Sequence, residues 1–118
     1  MPYPVRPPVS RRFISVKIPD ISTAGQVYVV PGFDGKIIKI HSVIAGAIIT
    51  ADADLTTKIG GTAVTGGLIT VAISGSAAGI VDTATPTALN SFTSGQAIEV
   101  ETDGASANTI EVVVTLEL

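Results

Sequence analysis

The chain of 118 residues has no cysteine, no tryptophan and a single histidine, His41. The first absence excludes disulfide staples, thiolate metal sites and cysteine nucleophiles together. One histidine leaves little room for acid–base chemistry near neutral pH, and no G-x-S-x-G string surrounds any serine. Aromatic residues make up only 4% of the chain, too few for the aromatic platforms expected of a glycan site. Heptads and fixed-period repeats are also missing, which excludes coiled coils and solenoids.

What is present is unevenly distributed. Residues 1–17 hold Arg6, Arg11, Arg12 and Lys17 with no acid, whereas the remainder sets Lys36, Lys39 and Lys58 against all ten carboxylates. A basic arm therefore precedes an acidic body. The opening "MPYPVRPPVS" has prolines at positions 2, 4, 7 and 8. Proline fixes φ and biases the residue before it towards extended geometry, so residues 1–10 read as an extended arm and 11–118 as one β-domain. Proline and arginine also stand where the apolar stretch of a secretory signal would be, so no such signal is expected.

The run from Ile59 to Val81 carries no charge and is long enough to span a bilayer. Glycine pairs at 60–61 and 66–67 punctuate it, however, and "LITVAIS" between the breaks is short and β-branched. It reads as strand, loop and strand, with "AAGIVD" extending the pattern after Gly75. No membrane segment is expected.

Period-two alternation recurs elsewhere. Ile14, Val16 and Ile18 alternate with Ser15 and Lys17; Leu55, Thr57 and Ile59 alternate with Thr56 and Lys58. Ile98 and Val100 point opposite to Glu99 and Glu101, and Ile110, Val112, Val114, Leu116 and Leu118 opposite to Glu111, Val113, Thr115 and Glu117. "QVYVV", "PGFDGK" and "IIKIHSVI" read as strand, tight turn and strand, with Asp34-Gly35 in the turn. The second of these strands, from Lys36, is expected to put Ile38, Ile40 and Ile44 on one face, with Ile37, Lys39, His41 and Val43 on the other. "TATPTALNSFTSGQ" lacks periodicity and reads as a long loop with room for a helical turn after Pro86. Many short strands with close turn signals define an all-β class: a single β-sandwich or jelly-roll-like domain behind a Pro-rich N-terminal arm.

Candidate chemistry is thin. Asp52 and Asp54 in "ADAD" would share a face of a strand and offer hard oxygen ligands, but too few for calcium. Gly61 and Gly66 have the spacing of a phosphate-binding loop, yet Gly67 stands where lysine is required. Neither catalytic residue, cofactor nor metal is expected. The four cations of residues 1–17 on an acidic protein make a weak nucleic-acid signature, and an acidic protein surface is the better target.

The stretch Val27 to Gly104, above all "GGTAVTGG", "SGSAAG" and "ATPTALN", resembles a family of small tailed-bacteriophage virion proteins of the capsid decoration, or cement, type. The resemblance implies a compact β-domain that sits on the outer face of assembled major capsid protein in the virion, commonly as a homotrimer, with neither enzymatic activity nor nucleic-acid or membrane partners. Such proteins often use an N-terminal arm to bind between capsomers. Here the arm lies outside the resembling stretch, and Pro4, Arg6, Pro7, Pro8, Arg11 and Arg12 are its candidate contacts. An extended segment covers much surface for few residues as it orders on binding. The alternative is a head- or tail-fibre-like module that recognises a host-surface glycan.

Overall fold

The computed structural model describes residues 12–118. Eleven strands follow in order: β1 (Phe13–Ile18), β2 (Gly25–Val29), β3 (Gly35–Lys36), β4 (Lys39–Ile44), β5 (Ala53–Ile59), β6 (Thr62–Ala63), β7 (Ile69–Val71), β8 (Val81–Ala84), β9 (Ser91–Phe92), β10 (Ile98–Thr102) and β11 (Val112–Glu117). No helix occurs among the described residues, and so no helix there crosses a membrane. The uncharged run Ile59 to Val81 holds the end of β5, then β6, β7 and the first residue of β8.

The strands form antiparallel sheets. One has the order β1-β11-β4-β8; the second has β2-β10-β5-β6, with β7 also paired to β5; β3 and β9 make a small third sheet. Strands β6 and β7 share one edge of β5, β6 beside Lys58 and Ile59 and β7 beside Ala53 to Leu55. The β5–β6 hairpin closes through Gly60 and Gly61, both at positive φ (58° and 86°), as a two-residue turn matched to strand twist requires.

Alternation buries the expected faces. Val112, Val114 and Leu116 of β11, Ile98 and Val100 of β10, and Leu55 and Thr57 of β5 are all at most 2% exposed. Apolar residues of both large sheets belong to one core cluster, from Ile18, Ile40 and Ile44 on one side to Leu55, Ile69 and Ile98 on the other.

Three local expectations are corrected. The segment 31–36 is not a hairpin turn, because β2 pairs with β10 while β4 pairs with β11 and β8: the chain changes sheet there. Gly35 lies within β3, and a Cβ on it would come 2.8 Å from the ζ carbon of the Phe92 ring, so its role is close approach. Ile37 is fully buried while Ile38 is 39% exposed, the reverse of the expected faces, because the backbone leaves strand geometry between Lys36 and Lys39. No helical turn follows Pro86; β9 and an isolated bridge from Thr65 to Ala88 order that stretch.

Candidate interaction surface

Of the candidate arm residues, Pro4, Arg6, Pro7, Pro8 and Arg11 lie outside the described residues; Arg12 is described. Its N–H donates to the Leu118 carbonyl at 3.3 Å, and the Leu118 N–H donates to its carbonyl at 2.7 Å. The β1–β11 ladder thus continues one pair beyond β1. The Arg12 guanidinium carbon sits 4.3 Å from the centre of the Phe33 ring, a cation–π contact. Phe33 meets Phe92 edge to face, with centroids 5.8 Å apart, and Phe92 is buried against Gly35. Arg12 is in this way tied to the core through two rings. The Asp34 carboxylate accepts a 2.7 Å bond from the Ser94 N–H and holds the neighbouring loop.

Beside β1, the side of the body shared with β2 is incompletely covered. Ile14 and Val16 point inward opposite Leu116 and Val114, and Val27 and Val29 inward opposite Val100 and Ile98. Their partners are at most 1% exposed, yet all four of these residues are only half-buried. A hollow opens where the two strands approach, lined by Ile18, Pro19, Asp20, Ala24, Val27 and Thr102. Thr102 donates from its hydroxyl to the Ile21 carbonyl and pins the 19–24 loop. Asp20 caps the same loop: hydrogen bonds from the Ser22 hydroxyl, then the Ser22 N–H, hold its carboxyl below the usual carboxylate range, with the Thr23 hydroxyl adding to the effect.

His41 lies on the outer face of the first sheet, as its alternation requires. Its Nδ1 is 3.1 Å from the Thr83 hydroxyl and its Nε2 3.5 Å from a Glu117 carboxylate oxygen. Glu117, expected to face outward like Glu111, keeps a side chain only 8% exposed. The line of carboxylate, imidazole and hydroxyl runs across β11, β4 and β8 on the outer face of the first sheet. The ladders on both sides of β4 engage its backbone N–H groups, so β4 supplies none for an oxyanion hole. The arrangement orients the imidazole.

On the outer face of the second sheet, Lys58 Nζ lies 3.1 Å from Glu101 and 3.9 Å from Glu99. The hydrogen bond and charge of Glu101, then the charge of Glu99, raise the ammonium above its ordinary range. Asp52 and Asp54 are occupied separately: Asp52 accepts from the Ile73 N–H at 2.8 Å and Asp54 from the Thr70 hydroxyl at 2.9 Å. Among the described residues no cluster of three or more carboxylate or imidazole ligands forms.

Sequence reasoning singled out the arm but missed the half-covered side next to it. A period-two pattern marks Val27 and Val29 as inward-facing, and only strand order reveals that they stand at an edge. A scan against family models and a search of the curated proteins each find no match to this chain.

Proposed function

We propose that this chain is a structural virion protein that decorates and stabilises the outer surface of a tailed-phage capsid by binding major capsid protein, as a homotrimer. Its body is read as an eight-stranded jelly roll. The strand orders β1-β11-β4-β8 and β2-β10-β5-β7 support that topology, as does the connectivity: among these eight strands, every connection changes sheet except the one from β5 to β7.

The observation that carries the functional reading is the way the arm is rooted. A basic, proline-rich stretch of sequence precedes an acidic body, and Arg12, where the two meet, pairs with Leu118 one step beyond the edge strand β1 and is fastened to Phe33. A tether that must bear load between a small domain and a large surface benefits from an attachment made by backbone pairing as well as by a side chain. Its cations suit an acidic protein surface.

The test is cosedimentation of the purified chain with phage heads that lack it, before and after shell expansion. Saturable binding to expanded shells is expected, and deletion of residues 1–10 is expected to abolish it while circular dichroism still reports a folded β-domain. Absence of binding to either shell would overturn the decoration role, and full occupancy by the truncated chain would overturn the anchoring role of the arm.

A further inference from the structure

We infer that the half-covered side between β1 and β2 receives residues 1–11 of a second copy of this chain. The inference rests on the trimer reading above and names the contact that would hold the copies together.

The site has two components. The inward side chains Ile14, Val16, Val27 and Val29 retain solvent exposure that their partners on β11 and β10 do not. In addition, among the described residues β1 pairs only with β11 and β2 only with β10, so both strands present an edge along this side. Apolar side chains and backbone edges together suit an extended, partly apolar segment.

The segment from 1 to 11 has that character. Tyr3, Val5 and Val9 supply apolar side chains, and its prolines keep an extended chain cheap to order. Missing N–H groups at positions 2, 4, 7 and 8 rule out a continuous ladder, so side chains seated in the slot would supply most of the contact. Asp20, a lining residue of the hollow whose carboxylate already accepts from Ser22 and Thr23, places negative charge beside a passing arginine.

Geometry favours a second copy over the chain's own segment. Arg12 is already paired with Leu118 in line with β1, so the chain enters the sheet along the strand axis. To reach its own slot the backbone would have to reverse within residues 1–11. A neighbouring body requires no reversal, and eleven extended residues reach about 36–40 Å, against about 20 Å for a six-residue strand.

The lack of cysteine makes disulfide trapping clean. Chains carrying Tyr3→Cys, Val5→Cys or Val9→Cys are mixed with chains carrying Val27→Cys under mild oxidation, with Thr83→Cys, on the outer face of the first sheet, as the control partner. Preferential formation of a mixed disulfide with Val27→Cys, together with a full-length chain that is trimeric by light scattering and a Δ1–11 chain that is monomeric, is the expected result. Trapping only within one chain in a Val5→Cys/Val27→Cys double variant would overturn the exchange between copies. So would a Δ1–11 chain that remains trimeric, a full-length chain that is monomeric at tens of micromolar, or equal trapping with Thr83→Cys. None of these readouts involves phage heads, so the clasp and the decoration role can fail separately.

Discussion

Along the side where β7 and β8 meet, the inward residues Ile69, Val71 and Ala84 are at most 8% exposed. Along the opposite side, Ile14, Val16, Val27 and Val29 point inward just as regularly and stay half-buried. Both sides are made of edge strands, but their patterns differ: β8 turns Asp82 and Ala84 inward, opposite Ser42 and Ile40, where β1 and β2 turn isoleucine and valine inward. The loops differ as well. Near β7 and β8 the segments 64–67 and 85–90 lock together, with the Thr65 N–H donating to Ala88 and the Thr87 N–H to Thr65, and Val64 and Pro86 buried beneath. At the other side the described segments are the 19–24 loop, which lines a hollow at one end, and the Arg12–Phe33 contact at the other. An edge in this protein is finished by what is laid over it.

That comparison is most readily broken with a matched pair of truncations. Ile69→Ala removes a 3%-exposed side chain from the covered side and is expected to cost about 2–5 kcal/mol in urea unfolding. Val27→Ala in a chain lacking residues 1–11 is expected to cost about 1 kcal/mol or less, since its site is already half open. Equal losses would erase the distinction between the sides. The same Val27→Ala change in the full chain sharpens it, because a larger cost there would measure coupling between the arm and the slot.

A smaller effect is expected at the junction. Arg12→Ala removes the cation over Phe33 and should lower stability by about 0.5–1 kcal/mol, with Arg12→Lys recovering part of it. A midpoint unchanged in Arg12→Ala would mean that backbone pairing alone holds the root.

The smallest effect concerns the 19–24 loop, which lines the hollow at one end of the open side. The Asp20 carboxyl is held below its usual range in the folded chain, so its contribution is fully present above the unfolded carboxylate range and is lost as pH falls through the lowered folded value. Urea midpoints of Asp20→Asn should therefore fall below those of the parent near neutrality and converge with them in acid. Parallel curves throughout would show that the loop does not depend on the charge.

Much of the fold was legible in the sequence because period two survives wherever a strand is long. The faces of β5, β10 and β11 follow directly from Leu55, Ile98 and Val114 and their alternating neighbours. Where strand geometry breaks for two residues, as between Lys36 and Lys39, the count slips by one and Ile37 exchanges places with Ile38. Turn chemistry was equally local: the residues of "PGFDGK" say that the chain bends, but not that the next strand joins the opposite sheet. The surroundings of His41 and the burial of Glu117 depend on β4 lying between β11 and β8, which brings together residues 41, 83 and 117. The open side was hidden for the same reason, since Val27 reads like any inward valine until its strand is known to be last in its sheet.

The pairing of β1 with β11, Phe13 opposite Glu117 across about a hundred intervening residues, also has a consequence for the order of events in time. Closing so long a loop brings no reward until the far strand exists, and proteins dominated by such contacts fold slowly. During synthesis β1 must wait, its apolar face without a sheet, until β11 has left the ribosome. The junction at Arg12, whose backbone partner is Leu118, is completed only then. That junction thus forms last, and a chain interrupted before β11 would lack the strand to which β1 and Arg12 are paired.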